Sequence, residues 1–303
     1  MLRRSLLLSA LGAPAAFAAK RLDWSRLSLL TDEIAKTPAD AIAFCKQYDV
    51  KSVELRAVPG GGGTYAFLDE AKLRPAAKEL AEAGLKVSFL NTPMLKFGLP
   101  GTEPVRRRTE TAEQKTKRQE REKQQLDQRL EDLKKAILAA HIFQVRDIRV
   151  FTFSRVAEPA ALFPKIAPIL DEMAGIAEKE GVRLLVENEA SCNVATAVEL
   201  KQICDLVKRK GFGINWDPVN ALSQKEAAWP DGYKALPMKR VHNVQMKARG
   251  LAVGPEVVDW KSIFEALPKD GYQGKVGLET HIFDGTLIEK AHLSMKKLKE
   301  LLG

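Results

Sequence analysis

The chain has 303 residues, 45% of them hydrophobic, 29% charged, with a mean hydropathy of −0.20. That supplies one large core and leaves no room for several membrane spans. The formal net charge of +9 does not point to nucleic acid, because much of that charge sits in the leader and in one Lys/Arg/Glu/Gln stretch, and aromatics are not interleaved with the basic residues.

Residues 1–18 read as an export signal. Met1-Leu2-Arg3-Arg4 is a charged start, residues 5–11 are a short apolar run, and Ala16-Phe17-Ala18 supplies small residues for cleavage. The Arg3-Arg4 pair followed by Ser5, Leu6 and Leu7 predicts a twin-arginine leader, which carries folded proteins and would suit one that loads a metal inside the cell. A Sec leader whose arginines only provide its positive region is the other reading. Either way the expectation is a periplasmic or extracellular protein without a stable membrane anchor, its domain occupying residues 19–303.

The first strand, 27–31, runs into Thr31-Asp32-Glu33 and is followed by a helix that Thr37 caps and Pro38 opens. The second, 52–56, alternates so that Glu54 and Arg56 share a face, which in a parallel barrel is the interior near the mouth. A buried ion pair and contact with substrate are equally open for these two. Gly60 to Gly63 follow; lacking the Lys-Ser/Thr of a phosphate loop, they read as a mobile lid. A helix over about 69–83 leads to a third strand, 86–91, after which Lys96 comes near the rim.

Next comes a long charged helix, at about 112–140. From Gln114 to Gln125 it is almost wholly Lys, Arg, Glu and Gln, and then Leu126, Leu130, Leu133, Ile137 and Ala140 form a helical stripe. The second half should pack on the barrel while the first projects into water; a dimer arm, making a homo-oligomer, is the sharper alternative. The fourth strand, 147–152, turns Arg149 inward, and a helix over 162–179 returns to the most informative stretch of the chain.

That stretch is 181–189, an aliphatic run entered from Gly181 and left through Glu187, Asn188 and Glu189. It reads as a strand buried on both faces in a parallel sheet, with an acid at its carboxyl end. The pattern recurs at 212–217, 241–247 and 275–279, bringing Asp217, Gln245 and Glu279 at spacings of 30, 28 and 34 residues. One strand, crossover helix and return takes roughly 30 residues. The fold class is therefore α/β, a single (β/α)8 TIM barrel, whose loops after the strands gather ligands at one rim.

Glu187, Asp217 and Glu279 at that rim need a compensating cation, which predicts one divalent metal ion. Strand seven offers both His242 and Gln245. Alternation turns Val244 and Met246 to the helices and Asn243, Gln245 and Lys247 inward, selecting Gln245 as fourth ligand and sending His242 outward. An all-oxygen set favours Mn²⁺ or Mg²⁺ over Zn²⁺. Cys45 and Cys204 fall on helix faces as core residues, and Cys192, in the loop after Glu187, has no evident base partner.

These residues resemble the xylose-isomerase-like barrels of sugar isomerases and epimerases. The likeness is carried by Val53-Glu54-Leu55-Arg56, Val186-Glu187-Asn188, Asp217-Pro218-Val219-Asn220, Val244-Gln245-Met246-Lys247 and Leu278-Glu279-Thr280-His281. The family usually has a metal-binding His where this chain has Gln245, although some hydroxypyruvate-isomerase-like members carry Gln. The resemblance implies that Glu187 and Glu279 both hold the metal and move the proton. The expected activity is metal-dependent isomerisation or epimerisation of a sugar or related hydroxy-ketone through an enediolate, with Glu54, Arg56, Lys247 and His281 holding the substrate. A lyase or hydratase acting on 3-keto glycosides is the close alternative, and a non-catalytic sugar-binding barrel a third. A DNA-repair endonuclease of this barrel needs a richer ligand set than four histidines provide.

Overall fold

Apolar residues at every second position of eight short strands, each followed by a helix, suit a parallel sheet that is rolled shut and covered by its helices. The computed structural model, which describes residues 22–105, 109–255 and 258–302, shows this arrangement; the leader expected at 1–18 lies outside those residues. The strands are β1 (Leu27–Leu30), β2 (Ser52–Leu55), β3 (Lys86–Leu90), β4 (Asp147–Val150), β5 (Arg183–Glu187), β6 (Phe212–Trp216), β7 (Val241–Lys247) and β8 (Lys275–Glu279). They pair in chain order, all parallel, and β8 closes on β1.

Around them stand α1 (Pro38–Gln47), α2 (Glu70–Glu82), α3 (Ala112–Ile142), α4 (Phe163–Lys179), α5 (Ala197–Leu206), the short α6 (Pro218–Ala221) and α7 (Tyr233–Ala235), α8 (Trp260–Lys269) and α9 (Leu287–Leu302). The core lies between strands and helices. Leu29, Val53, Val186, Ile214, Val244 and Leu278 are fully buried in one apolar cluster there, while their neighbours along each strand turn polar groups into the barrel. Among the described residues no helix is long and apolar enough to cross a membrane.

Local chemistry starts the helices where expected. Thr37 accepts a hydrogen bond from the Asp40 amide with Pro38 in the first turn, and Thr196 forms a capping box with Glu199 ahead of α5. Gly60 to Gly63 all have positive φ and form the turn of a small hairpin in which Ala57 pairs with Thr64. The run expected as a lid is thus tied at both ends.

Helix α3 departs from expectation. Its stripe behaves as read, with Leu133, Ile137 and Ala140 buried. The charged half, however, is not simply a solvated extension, because Arg118 and Glu122 are 5% and 4% exposed. Arg118 donates to Glu122 at 3.0 Å, Glu110 at 3.0 Å and Glu103 at 2.9 Å, drawing the preceding loop down over the helix. Glu122 fits there because Gly98 has no side chain to overlap its carboxylate. Arg118→Met is expected to cost about 2–4 kcal/mol, since it leaves a covered carboxylate without its cation. A denaturation midpoint equal to the parent's would restore the solvated reading.

Candidate active site

Three acids meet at the carboxyl ends of strands distant in sequence. Glu187 is the last residue of β5, Asp217 follows β6 and caps α6, and Glu279 ends β8. Each offers an oxygen within 4.8 Å of the others, and none is more than 3% exposed. Like charges so close in a water-poor site demand cations, and the protein supplies several of its own.

Glu187 accepts from Arg149 Nη1 at 3.1 Å and Asn215 Nδ2 at 2.6 Å. Asp217 spends Oδ1 on the amides of Val219 (2.9 Å) and Asn220 (3.0 Å), and its own amide is held by Asn188 Oδ1 at 2.8 Å. Its Oδ2, fully buried, accepts no aligned hydrogen bond and faces Lys247 Nζ at 3.0 Å. Glu279 accepts from Arg56 Nη1 at 2.6 Å, and Lys247 Nζ lies 3.9 Å from its other oxygen.

These environments drive the two glutamates apart. Burial raises Glu187 above the usual carboxylate range, and the charges of Glu279 and Asp217 add to it against the pull of Arg149. Burial also opposes the charge on Glu279, but Lys247, the nearby His281, Arg56 and Arg149 together hold it well below. Asp217 is raised by burial, which Lys247 partly offsets.

The four expected substrate contacts separate into two levels. Arg56 and Lys247 stand among the acids, and His281 is at the lip, its Nδ1 3.6 Å from Glu279 and its backbone in the left-handed region at φ 55°. Glu54 is instead wholly buried below them. It accepts from Asn91 Nδ2 (3.0 Å), Asn243 Nδ2 (3.0 Å) and Gln245 Nε2 (3.1 Å), and a β-carbon on Gly277 would overlap it. A Glu54–Arg56 ion pair does not form, because two residues along a strand separate them by about 6–7 Å in depth. Arg56 reaches Asp32 at 2.9 Å, Glu33 and Glu279 instead.

Gln245 occupies the same lower level, giving its amide N–H to Glu54 and accepting from Asn243 at 3.2 Å. Lys247 is the strand-seven group that touches the carboxylates. In the sequence Asp32 and Glu33 mark only the polar end of strand one; closure of β1 against β8 brings Glu33 to the His281 amide at 2.7 Å. The signal was two acids directly after a strand, at the end where the other acids lie. Lys96 does come to the rim, paired with Glu189 at 2.8 Å over the Phe151 ring. Cys192 is buried and its thiol is pushed up to about 12, chiefly by desolvation, so it is no nucleophile.

His242 does not face the helices as alternation suggested. The β6–β7 register shifts after Ile214, and the ring lies over Gly213 at the amino end of the barrel, Arg183 donating to Nδ1 at 3.1 Å. Burial, then Arg183, Arg240 and Arg146, lower its pKa from 6.5 to about 4. The unfolded chain takes up this proton near 6.5 and the folded protein only near 4, so the stability due to neutral His242 is complete above 6.5 and drains away as pH falls. Melting curves of parent and His242→Asn between pH 7 and pH 4 should therefore shift in favour of the variant on acidification. A difference constant with pH would contradict this assignment.

Comparison with known proteins agrees with the geometry. The profile of the xylose isomerase-like TIM barrel family matches residues 42–301. The chain belongs to this family. No curated protein sequence matches it. Among solved structures, this xylose isomerase-like barrel is similar to 3-keto-D-glucoside 4-epimerase YcjR from E. coli, with a TM-score of 0.65 and 14% identity over 91% of this chain and 98% of that one. D-allulose 3-epimerase from Methylomonas sp., in complex with D-allulose, gives a TM-score of 0.65 at 15% identity over 92% and 97%. The IOLI protein with a bound zinc atom gives 0.64 at 15% identity over 91% and 98%. Sugar epimerases are thus among the solved structures that share this fold.

Proposed function

We propose that this protein is a metal-dependent isomerase or epimerase of a sugar or related hydroxy-ketone, with Glu187 and Glu279 as its proton-transfer groups. The observation that carries this reading is the convergence of Glu187, Asp217 and Glu279 within 4.8 Å, with Asp217 Oδ2 buried and without an aligned donor. Such a hard, anionic donor set fits a divalent ion, with Mn²⁺ or Mg²⁺ favoured by its oxygen character. When bound, the ion would polarise a substrate carbonyl and stabilise charge developing on its oxygen. Gln245 adds an amide oxygen only if it turns from Asn243.

The chain's own groups do the rest. One glutamate removes the proton α to the carbonyl and the other returns it, to the same carbon from the opposite face in epimerisation or to the neighbouring carbon in isomerisation. Arg56 and His281 flank Glu279 at the open side, where substrate hydroxyls would meet them. Burial of all three acids keeps bulk water from competing for the proton. As part of this reading, the charged start and apolar run of residues 1–18 support an exported enzyme acting on a substrate outside the cytoplasm. A second reading, elimination from a 3-keto glycoside, is favoured by the likeness to a 3-keto-D-glucoside epimerase and uses the same base.

Incubation of the Mn²⁺-loaded protein with a panel of keto sugars and 3-keto glycosides in D₂O tests these readings together. Deuterium at a carbon α to the carbonyl is the expected result, and an unsaturated product would select elimination. Sugar binding with no exchange across the panel would leave a non-catalytic barrel.

A further inference from the structure

Lys247 ends β7 and pairs in register with Glu279. Its side chain is 6% exposed, and its ammonium lies 3.0 Å from Asp217 Oδ2, 3.9 Å from Glu279 Oε2 and 2.5 Å from Asn220 Oδ1. Two of these three partners belong to the carboxylate triad. The third, Asn220, stands on α6, whose first turn Asp217 caps, so ammonium, acid and amide are held as one unit.

A buried ammonium and a divalent ion are two answers to the same electrostatic problem. Both lower the cost of bringing three carboxylates together, and both would use the same Asp217 oxygen. They cannot both do so at full strength. Positive charges about 4 Å apart with little water between them repel strongly. Arg149 and Arg56 differ in this respect, because their guanidinium groups bind Glu187 and Glu279 rather than the buried Asp217 oxygen, and anchor also on Thr92 and on Asp32 with Glu33.

We propose that Lys247 is a resident counter-cation of the triad, which an incoming metal must displace from Asp217. The inference rests on the metal reading of the site given above. It has two consequences. The metal-free fold owes stability to Lys247, and the metal is held more loosely than the carboxylates alone would hold it. Displacement does not expel the side chain, since Asn220 remains as an acceptor, and the ammonium so released from Asp217 is available to a substrate oxygen.

The test uses the full chain as parent, Lys247→Met, Lys247→Gln and the charge-keeping Lys247→Arg, each stripped by chelator and titrated with Mn²⁺ in a calorimeter. The two neutral variants should bind Mn²⁺ on the order of tenfold or more tightly than the parent, with Lys247→Arg close to the parent. Thermal melts should show the neutral variants below the parent without Mn²⁺ and level with or above it at saturation. A variant that does not survive stripping is purified with Mn²⁺, and its affinity is compared by competition with a chelator of known strength. Affinity that stays unchanged or weakens in Lys247→Met and Lys247→Gln while the parent binds Mn²⁺ would overturn the counter-cation role alone. Failure of parent and variants alike to bind Mn²⁺, Mg²⁺ or Zn²⁺ would overturn the metal reading, and this inference with it.

Discussion

Glu187→Gln and Glu279→Gln are each expected to lower turnover by roughly 10²- to 10⁴-fold, the usual worth of a positioned acid or base. Glutamine keeps the shape and one oxygen, so Mn²⁺ affinity should fall far less than kcat. The two variants should differ in stability. Glu187 receives its hydrogen bonds from Arg149 and Asn215, and one amide oxygen can still accept from either of them. Glu279 instead has its charge held by Arg56 directly and by Lys247 at 3.9 Å, so neutralising it gives up more attraction than neutralising Glu187, whose charge is already opposed by burial and the neighbouring acids. Measuring kcat, Mn²⁺ affinity and melting temperature on the same samples separates these effects. Near-parent turnover in both variants would mean that the glutamates are structural, and the proton-transfer proposal would fall.

Glu54→Ala should be the most destabilising single change inside the barrel, by about 3–5 kcal/mol. The amide donors of Asn91 and Gln245 would lose their acceptor where water does not reach, and Asn243 would keep only Asn215 and Gln245. Each unsatisfied buried donor costs about 1–3 kcal/mol, and the space vacated beside Gly277 adds to it, although the contributions do not simply sum. Against a total stability of about 5–15 kcal/mol, that is a large share. A denaturant midpoint close to the parent's, with a raised KM, would return Glu54 to the role of substrate contact. Loss of stability with KM unchanged in the folded fraction supports the deeper placement.

Much of the architecture was legible in the chain because it follows from local periodicity. A strand buried on both faces must be aliphatic and must end where polar residues begin, and a crossover helix needs a set length. The positions of Glu187, Asp217 and Glu279 therefore announced a common rim. The period of two likewise sorted Val244 and Met246 to the helices from Gln245 and Lys247 to the interior, and capping residues such as Thr37 and Thr196 marked helix starts.

Depth and partnership were decided only by the closed structure. Glu54 and Arg56 share a face, as do Gln245 and Lys247, yet one member of each pair lies at the level of the acids and the other below it. Periodicity gives the face of a residue, whereas its height relative to another strand depends on tilt and stagger. A shift in the β6–β7 register was enough to move His242 from the helix side to the barrel floor. Partners far apart in sequence met only through closure, as Glu33 and His281 do across the β1–β8 seam, or through a loop folding back, as Glu103 and Glu110 do onto Arg118. Charge on a helix surface looks the same in sequence whether water or a carboxylate will face it, so the sequence determined the barrel and its acidic rim, and tertiary contacts chose which cations stand there.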